Sequence, residues 1–113
     1  MELTSLPGHE LVLKGLRDLA HGLESDEALL VSIGAPRLRR SGFDIANPLA
    51  SPEHQLYDRL AAQDAESAHA RYNALVRRLV SFERAADHAA AIDPSAFRAA
   101  VESATTWSRH SDA

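Results

Sequence analysis

Hydrophobic positions in this chain recur every three or four residues and nowhere alternate, so the pattern reads as helical throughout. Val12, Leu16, Leu19 and Leu23 form the first stripe, widened by Leu13 and Ala20, which predicts a helix over about 9–21. Gly22 follows where a helix turns left-handed, with Leu23 as the expected apolar anchor. Ser25 then offers a hydroxyl cap, and Asp26 and Glu27 put negative charge into a new first turn. That second helix carries Ala28 to Ile33. It stops at Gly34-Ala35-Pro36, because Pro36 lacks a donor and crowds the preceding turn. Arg37 to Arg40 extend another short helical piece, closed by Gly42 with Phe43 as its anchor. Residues 44–50 read as a polar connector, and Ser51-Pro52-Glu53 as a capped helix start.

Between Glu53 and Asp93 there is neither glycine nor proline. Ala68, Tyr72, Leu75, Leu79, Phe82, Ala86 and Ala89 step by four and three without a fault. Leu56 and Leu60 do not share that phase, and the residues from Gln63 to Ser67 are mostly polar, so a break is placed near Asp64. The long helix is expected over about 65–91. Asp93-Pro94-Ser95 repeats the cap-and-proline start for a last helix that buries Phe97, Val101, Ala104 and Trp107, ahead of a polar tail from about 108. The expected fold is all-α: a single domain over 1–113, with about five helices around one long central helix.

Two features of the long helix suggest a partner. At 1.5 Å per residue it runs ~40 Å, whereas a sphere of this chain length is about 34 Å across. Its apolar arc of Tyr72, Leu75, Val76, Leu79, Val80, Phe82 and Ala86 also spans about half the helix circumference. These seven are the expected interface positions of a homo-oligomer, a dimer by preference, or of a contact with another protein. A last helix folded back over the alanine-rich end would cover part of that arc instead.

Composition narrows the setting more than the activity. The absence of cysteine excludes disulfides and thiolate metal sites and suits a reducing compartment. Neither a leader-like segment nor a membrane-length apolar run occurs, so a cytoplasmic, bacterial-style protein away from membranes is expected. A net charge of −4 gives no general pull toward nucleic acid. Of the twelve cations eleven are arginine, which leaves an anion- or nucleic-acid-contacting role for the arginine clusters as an alternative.

Candidate chemistry is sparse. Asp18…His21 and Glu66…His69 have the acid-x-x-His spacing of carboxylate metal sites. Sixteen acids and six histidines produce such pairs by chance, and both fall outside the apolar stripes. No metal, no cofactor and no catalytic residue is therefore assigned. The stretch from Glu27 to Phe43 fits a DNA-reading helix-turn-helix poorly, since Pro36 stiffens the turn. Glu83 and Asp87 are the exception to blandness: they neighbour each other on one face, and Glu83 falls inside the apolar arc. A buried carboxylate needs a partner. Arg37, Arg39 and Arg40 are the expected source, in which case Glu83→Gln would cost ~1–3 kcal/mol. A small enzyme centred on Glu83 and Asp87 is the third reading, behind a non-catalytic interaction or regulatory module and the anion-contacting alternative.

Overall fold

The structure is a computed structural model, and it describes residues 1–106. The expectations for Trp107 and the polar tail lie outside the described residues. After a short 3-10 turn at Leu3–Ser5 come α1 (His9–Ala20), α2 (Asp26–Ile33), α3 (Ala35–Ser41), α4 (Pro52–Gln63), α5 (Ala68–Ile92) and α6 (Pro94–Ala104). Among the described residues there is no strand, and the break near Asp64 separates α4 from α5.

Most helix ends follow the local signals. Gly22 takes φ 71°, and the two crossed bonds of a left-handed stop form behind α1: Gly22 N–H to Leu19 O at 3.1 Å and Leu23 N–H to Asp18 O at 2.8 Å. The Leu23 side chain is nevertheless 55% exposed, so it does not anchor that stop. Behind α3 the same geometry succeeds completely. Phe43 N–H reaches Leu38 O at 3.0 Å, and its ring is buried against Phe82 and Phe97, with centroids 5.8 and 6.0 Å away. Ser25 caps α2 by accepting from Ala28 N–H at 3.0 Å, and Asp93 caps α6 by accepting from Ala96 N–H at 3.1 Å. Ser51 departs from expectation. It sits left-handed at φ 45° and makes no side-chain cap bond, so α4 starts on Pro52 alone. The connector is also less polar than it reads, because Ile45 is buried and Leu49 N–H is tied to Ser32 Oγ at 2.9 Å.

α5 is touched by all five other helices, as a wide apolar arc implies. It buries Ala68, Leu79, Phe82 and Ala86. α6 folds back over its alanine-rich end, with Phe97, Ala100 and Val101 buried. The 25 residues of α5 span ~37 Å, and the molecule stretches to accommodate them, measuring 44 × 33 × 20 Å. Its thin dimension equals about two helix diameters.

The most extensive contact is the α1–α2 hairpin, and it corrects one expectation. Asp18 does not face solvent; it is 7% exposed. It accepts from Lys14 Nζ at 2.7 Å and from Ser25 Oγ at 2.6 Å, so the cap of α2 is bonded to α1. The physical reason is Gly15. A Cβ there would collide with the Glu27 carbonyl oxygen and lie 2.5 Å from Val31 Cγ2, so α2 rests directly on the backbone of α1. A contact made by a missing side chain leaves no mark in a hydrophobic pattern. Near it, Lys14 also meets Glu27 at 3.3 Å.

Gly15→Ala gains helix propensity of ~1 kcal/mol, but its methyl meets backbone that cannot rotate away. A net destabilisation of about 1–3 kcal/mol is expected from urea titration; an unchanged or higher midpoint would mean that the hairpin can open freely. Ser25→Ala removes both the α2 cap and a donor to buried Asp18, and a loss of roughly 1–2 kcal/mol is expected in the same measurement.

Candidate functional site

Two places on the molecule bear on function: a charged lock between α3 and α5, and a groove between α1, α2 and α5.

In the lock, residues one turn apart on each helix face each other. Arg37 donates from Nε and Nη2 to Asp87 Oδ2 at 3.0 and 2.8 Å, and Ser41 Oγ donates to Asp87 Oδ1 at 2.6 Å. Arg37 Nη1 lies 3.8 Å from Glu83 Oε1. This contact is an ion pair without a hydrogen bond, and Glu83 accepts no hydrogen bond from another described residue. Glu83 is 6% exposed. Its Oε2 occupies the space beside Gly34, where a Cβ would come within 2.8 Å of it.

The three arginines expected around Glu83 therefore separate. Arg37 holds Asp87 and only approaches Glu83. Arg39 turns to the connector and donates to Ile45 O from Nε at 2.8 Å and also from Nη2. Arg40 acts on both carboxylates through its charge alone. The two carboxyls are shifted in opposite directions. Burial pushes the Glu83 carboxyl above the ordinary range, aided by the nearby negative charge of Asp87 and opposed by Arg37 and Arg40. Bonds from Ser41 and Arg37 hold Asp87 below its ordinary range, against a smaller effect of burial. An acid and a base set apart in this way resemble a catalytic pair. Here, however, one member is largely buried beside Gly34 and Leu79 and the other has both oxygens engaged.

The seven expected interface residues divide as well. Leu79, Phe82 and Ala86 are buried in the chain's own core and present nothing to a partner. Their arc is wide because five helices share it, not because a partner does. Tyr72, Leu75, Val76 and Val80 are half-buried. Tyr72 packs on Tyr57 of α4, with ring centroids 5.8 Å apart.

Beside Leu75, the cover over α5 is incomplete. A groove of about 310 Å³ runs between α1, α2 and α5, its apolar surface made by Leu11, Leu30, Ala74 and Leu75. Asp26 and Glu27 line it from α2, Arg71 and Arg78 from α5. Each rim charge already has a partner within the chain. Arg59 donates to Asp26 at 2.8 Å, Lys14 to Glu27 at 3.3 Å, Arg71 to Gln63 at 2.9 Å, and Arg78 to Glu10. The sequence pattern marks Asp26 and Glu27 only as first-turn charges of α2 and sets neither Arg71 nor Arg78 apart. The signal it passed over is Ala74, a small residue between two arginines on the same helix face.

The acid-x-x-His pairs do not assemble. Glu66 precedes α5, His69 contacts Asn73 at 3.2 Å, and Asp18 is occupied by Lys14 and Ser25. Among the described residues no group of three metal-ligating side chains comes together. No helix there is long and apolar enough to cross a membrane. No family model, curated protein or solved structure matches the chain.

The lock reverses the expected cost of neutralising Glu83. Its folded-state carboxyl titrates above its unfolded value, so between those values the folded state holds the extra proton and stability falls as pH rises. Glu83→Gln is expected to be neutral or stabilising by up to about 1 kcal/mol at pH 7, with its advantage over the native chain shrinking as pH falls toward 4. Asp87→Asn is expected to destabilise at neutral pH, because the depressed carboxyl adds stability that disappears only in acid. Urea midpoints of the three proteins across that pH range check both signs. A clear loss of stability in Glu83→Gln at pH 7 would show that Arg37 needs both carboxylates.

Proposed function

We propose that this chain is a non-catalytic helical interaction module whose working surface is the groove between α1, α2 and α5. The observation that carries the reading is incomplete cover: α5 is longer than the helices packed on it, and over 71–78 its flank is left as a groove with apolar surface and charged rim. Grooves between helices accept the apolar face of another helix, with side chains one turn apart as anchors. Charged groups around an apolar strip suit a partner that must dissolve on its own and bind selectively. A regulatory role fits a scaffold of this kind, and a cytoplasmic setting fits a chain without cysteine.

The other two readings receive less support. For anion or nucleic-acid contact, Arg37 already bonds to Asp87 and Arg39 to Ile45 O, so two of the three arginines of the clearest basic cluster are engaged within the chain. For an enzyme, burial raises the Glu83 carboxyl and bonds lower that of Asp87, but neither residue lines the groove or either of two further surface clefts.

A photo-crosslinking amino acid at position 74, exposed on α5, tests the surface in living cells of the native host, with position 98, exposed on α6, as the control. A discrete protein adduct at 74, absent at 98, is the expected result, whether the captured protein is a second copy or something else. Identical patterns at the two positions, or no adduct at 74, would overturn the groove as a docking surface.

A further inference from the structure

We propose that the occupant of the groove is a second copy of this chain, docked about a two-fold axis that lies in the groove between α2 and α5. The proposal rests on the reading of the groove as a docking surface and specifies what fills it.

The two walls carry opposite and incompletely used hydrogen-bonding groups. On α2, Asp26 receives Arg59 at Oδ1 and Glu27 receives Lys14 at Oε1. The second oxygen of each carboxylate accepts nothing from the described residues. On α5, Arg71 reaches Gln63 through Nη2 and Arg78 reaches Glu10 through Nη2, so each guanidinium keeps further donors. Arg78 pairs with Glu10 of α1, but no ion pair among the described residues joins α2 to α5: Asp26 and Glu27 are paired with Arg59 and Lys14.

An acceptor wall and a donor wall side by side make the surface complementary to itself. A two-fold axis sets α5 of one copy against α2 of the other, and the same pairing recurs on the opposite side of the axis. Planar guanidinium groups suit the free carboxylate oxygens, and their aliphatic stems would lie over Leu11 and Leu75. Ala74, with only a methyl group, lets α2 of the other copy approach α5 closely. The charge pattern thus selects a copy of this chain over a partner of uniform charge, which would meet repulsion at one wall.

Sedimentation equilibrium on the full chain, over about a hundredfold range of concentration, should show a reversible dimer of twice 12.3 kDa that weakens as salt is raised. Ala74→Glu places a negative charge opposite the acidic α2 of the other copy without touching the core, and at least roughly tenfold weaker association is expected with an unchanged circular dichroism spectrum. A charge exchange then tests the wall pairing. One copy carries Arg71→Glu with Arg78→Glu, the other Asp26→Arg with Glu27→Arg. Each should be monomeric alone, and the mixture should dimerise, because both sides of the axis then bring opposite charges together. A native chain that stays monomeric throughout, or a dimer indifferent to Ala74→Glu, would overturn the proposal. So would two folded, charge-exchanged chains that fail to combine. If either exchanged chain fails to fold, Ala74→Glu decides alone. A monomer combined with a foreign protein crosslinked at position 74 would remove the second copy while leaving the groove as a docking surface.

Discussion

A single rod governs this molecule. Among the described residues α5 has 25 residues where the other α-helices have 7 to 12, and those five all pack on it. Short helices can cover a long one only in instalments. α4 covers its beginning through Tyr57 on Tyr72, and α3 and α6 cover its end through Phe43 and Phe97. The joints between those covers decide where the surface is complete and where it is not. The three-ring cluster of Phe43, Phe82 and Phe97 closes one joint. The groove beside Leu75 is another, left partly open.

What a linear pattern can reveal is set by how each contact is made. Helix spans, the break after α4 and the caps at Ser25 and Asp93 were legible because they depend on a hydroxyl, a carboxylate or a repeat within a few residues. Asp18 was not, because its burial depends on α2 arriving at Gly15, and a glycine in a helix carries no polarity signal. Ser51 has the composition of a cap but a left-handed backbone that turns its hydroxyl away from the duty. The apolar arc of α5 was read correctly as wide, and the part expected to meet a partner at Leu79, Phe82 and Ala86 is covered by the chain's own helices. Width records the number of neighbours, and the pattern does not say whether they belong to the same chain. The open flank is where the pattern fades, at Ala74 between Arg71 and Arg78.

The charged groups divide by the same logic of cover. Asp87 stands near the surface of the α3–α5 contact and gathers bonds from Ser41 and Arg37, so ionisation there is favourable. Glu83, one turn earlier, is under α3 and has Arg37 only at the distance of a loose ion pair. The polar position inside an apolar arc was visible in the sequence; which of two neighbouring acids the arginine would prefer was not. That choice follows from the α3 register, which sets Arg37 and Ser41 together over Asp87. A loosely held buried charge adds little to stability, but it restricts which surfaces can face it.

Gly34 and Glu83 occupy one volume between them. The carboxylate oxygen lies where the side chain of residue 34 would otherwise be, and the Leu79 methyl groups close the same space. Positions far apart along the chain are thereby tied by size, not by charge alone. As sequences of this type diverge, a larger residue at 34 is tolerable only where 83 has shrunk or turned outward. A glycine kept at 34 leaves 83 free to alternate among acid, amide and apolar side chains of similar length. Paired variation at those positions, with 87 and 37 changing on their own schedule, would be the evolutionary imprint of a shared cavity.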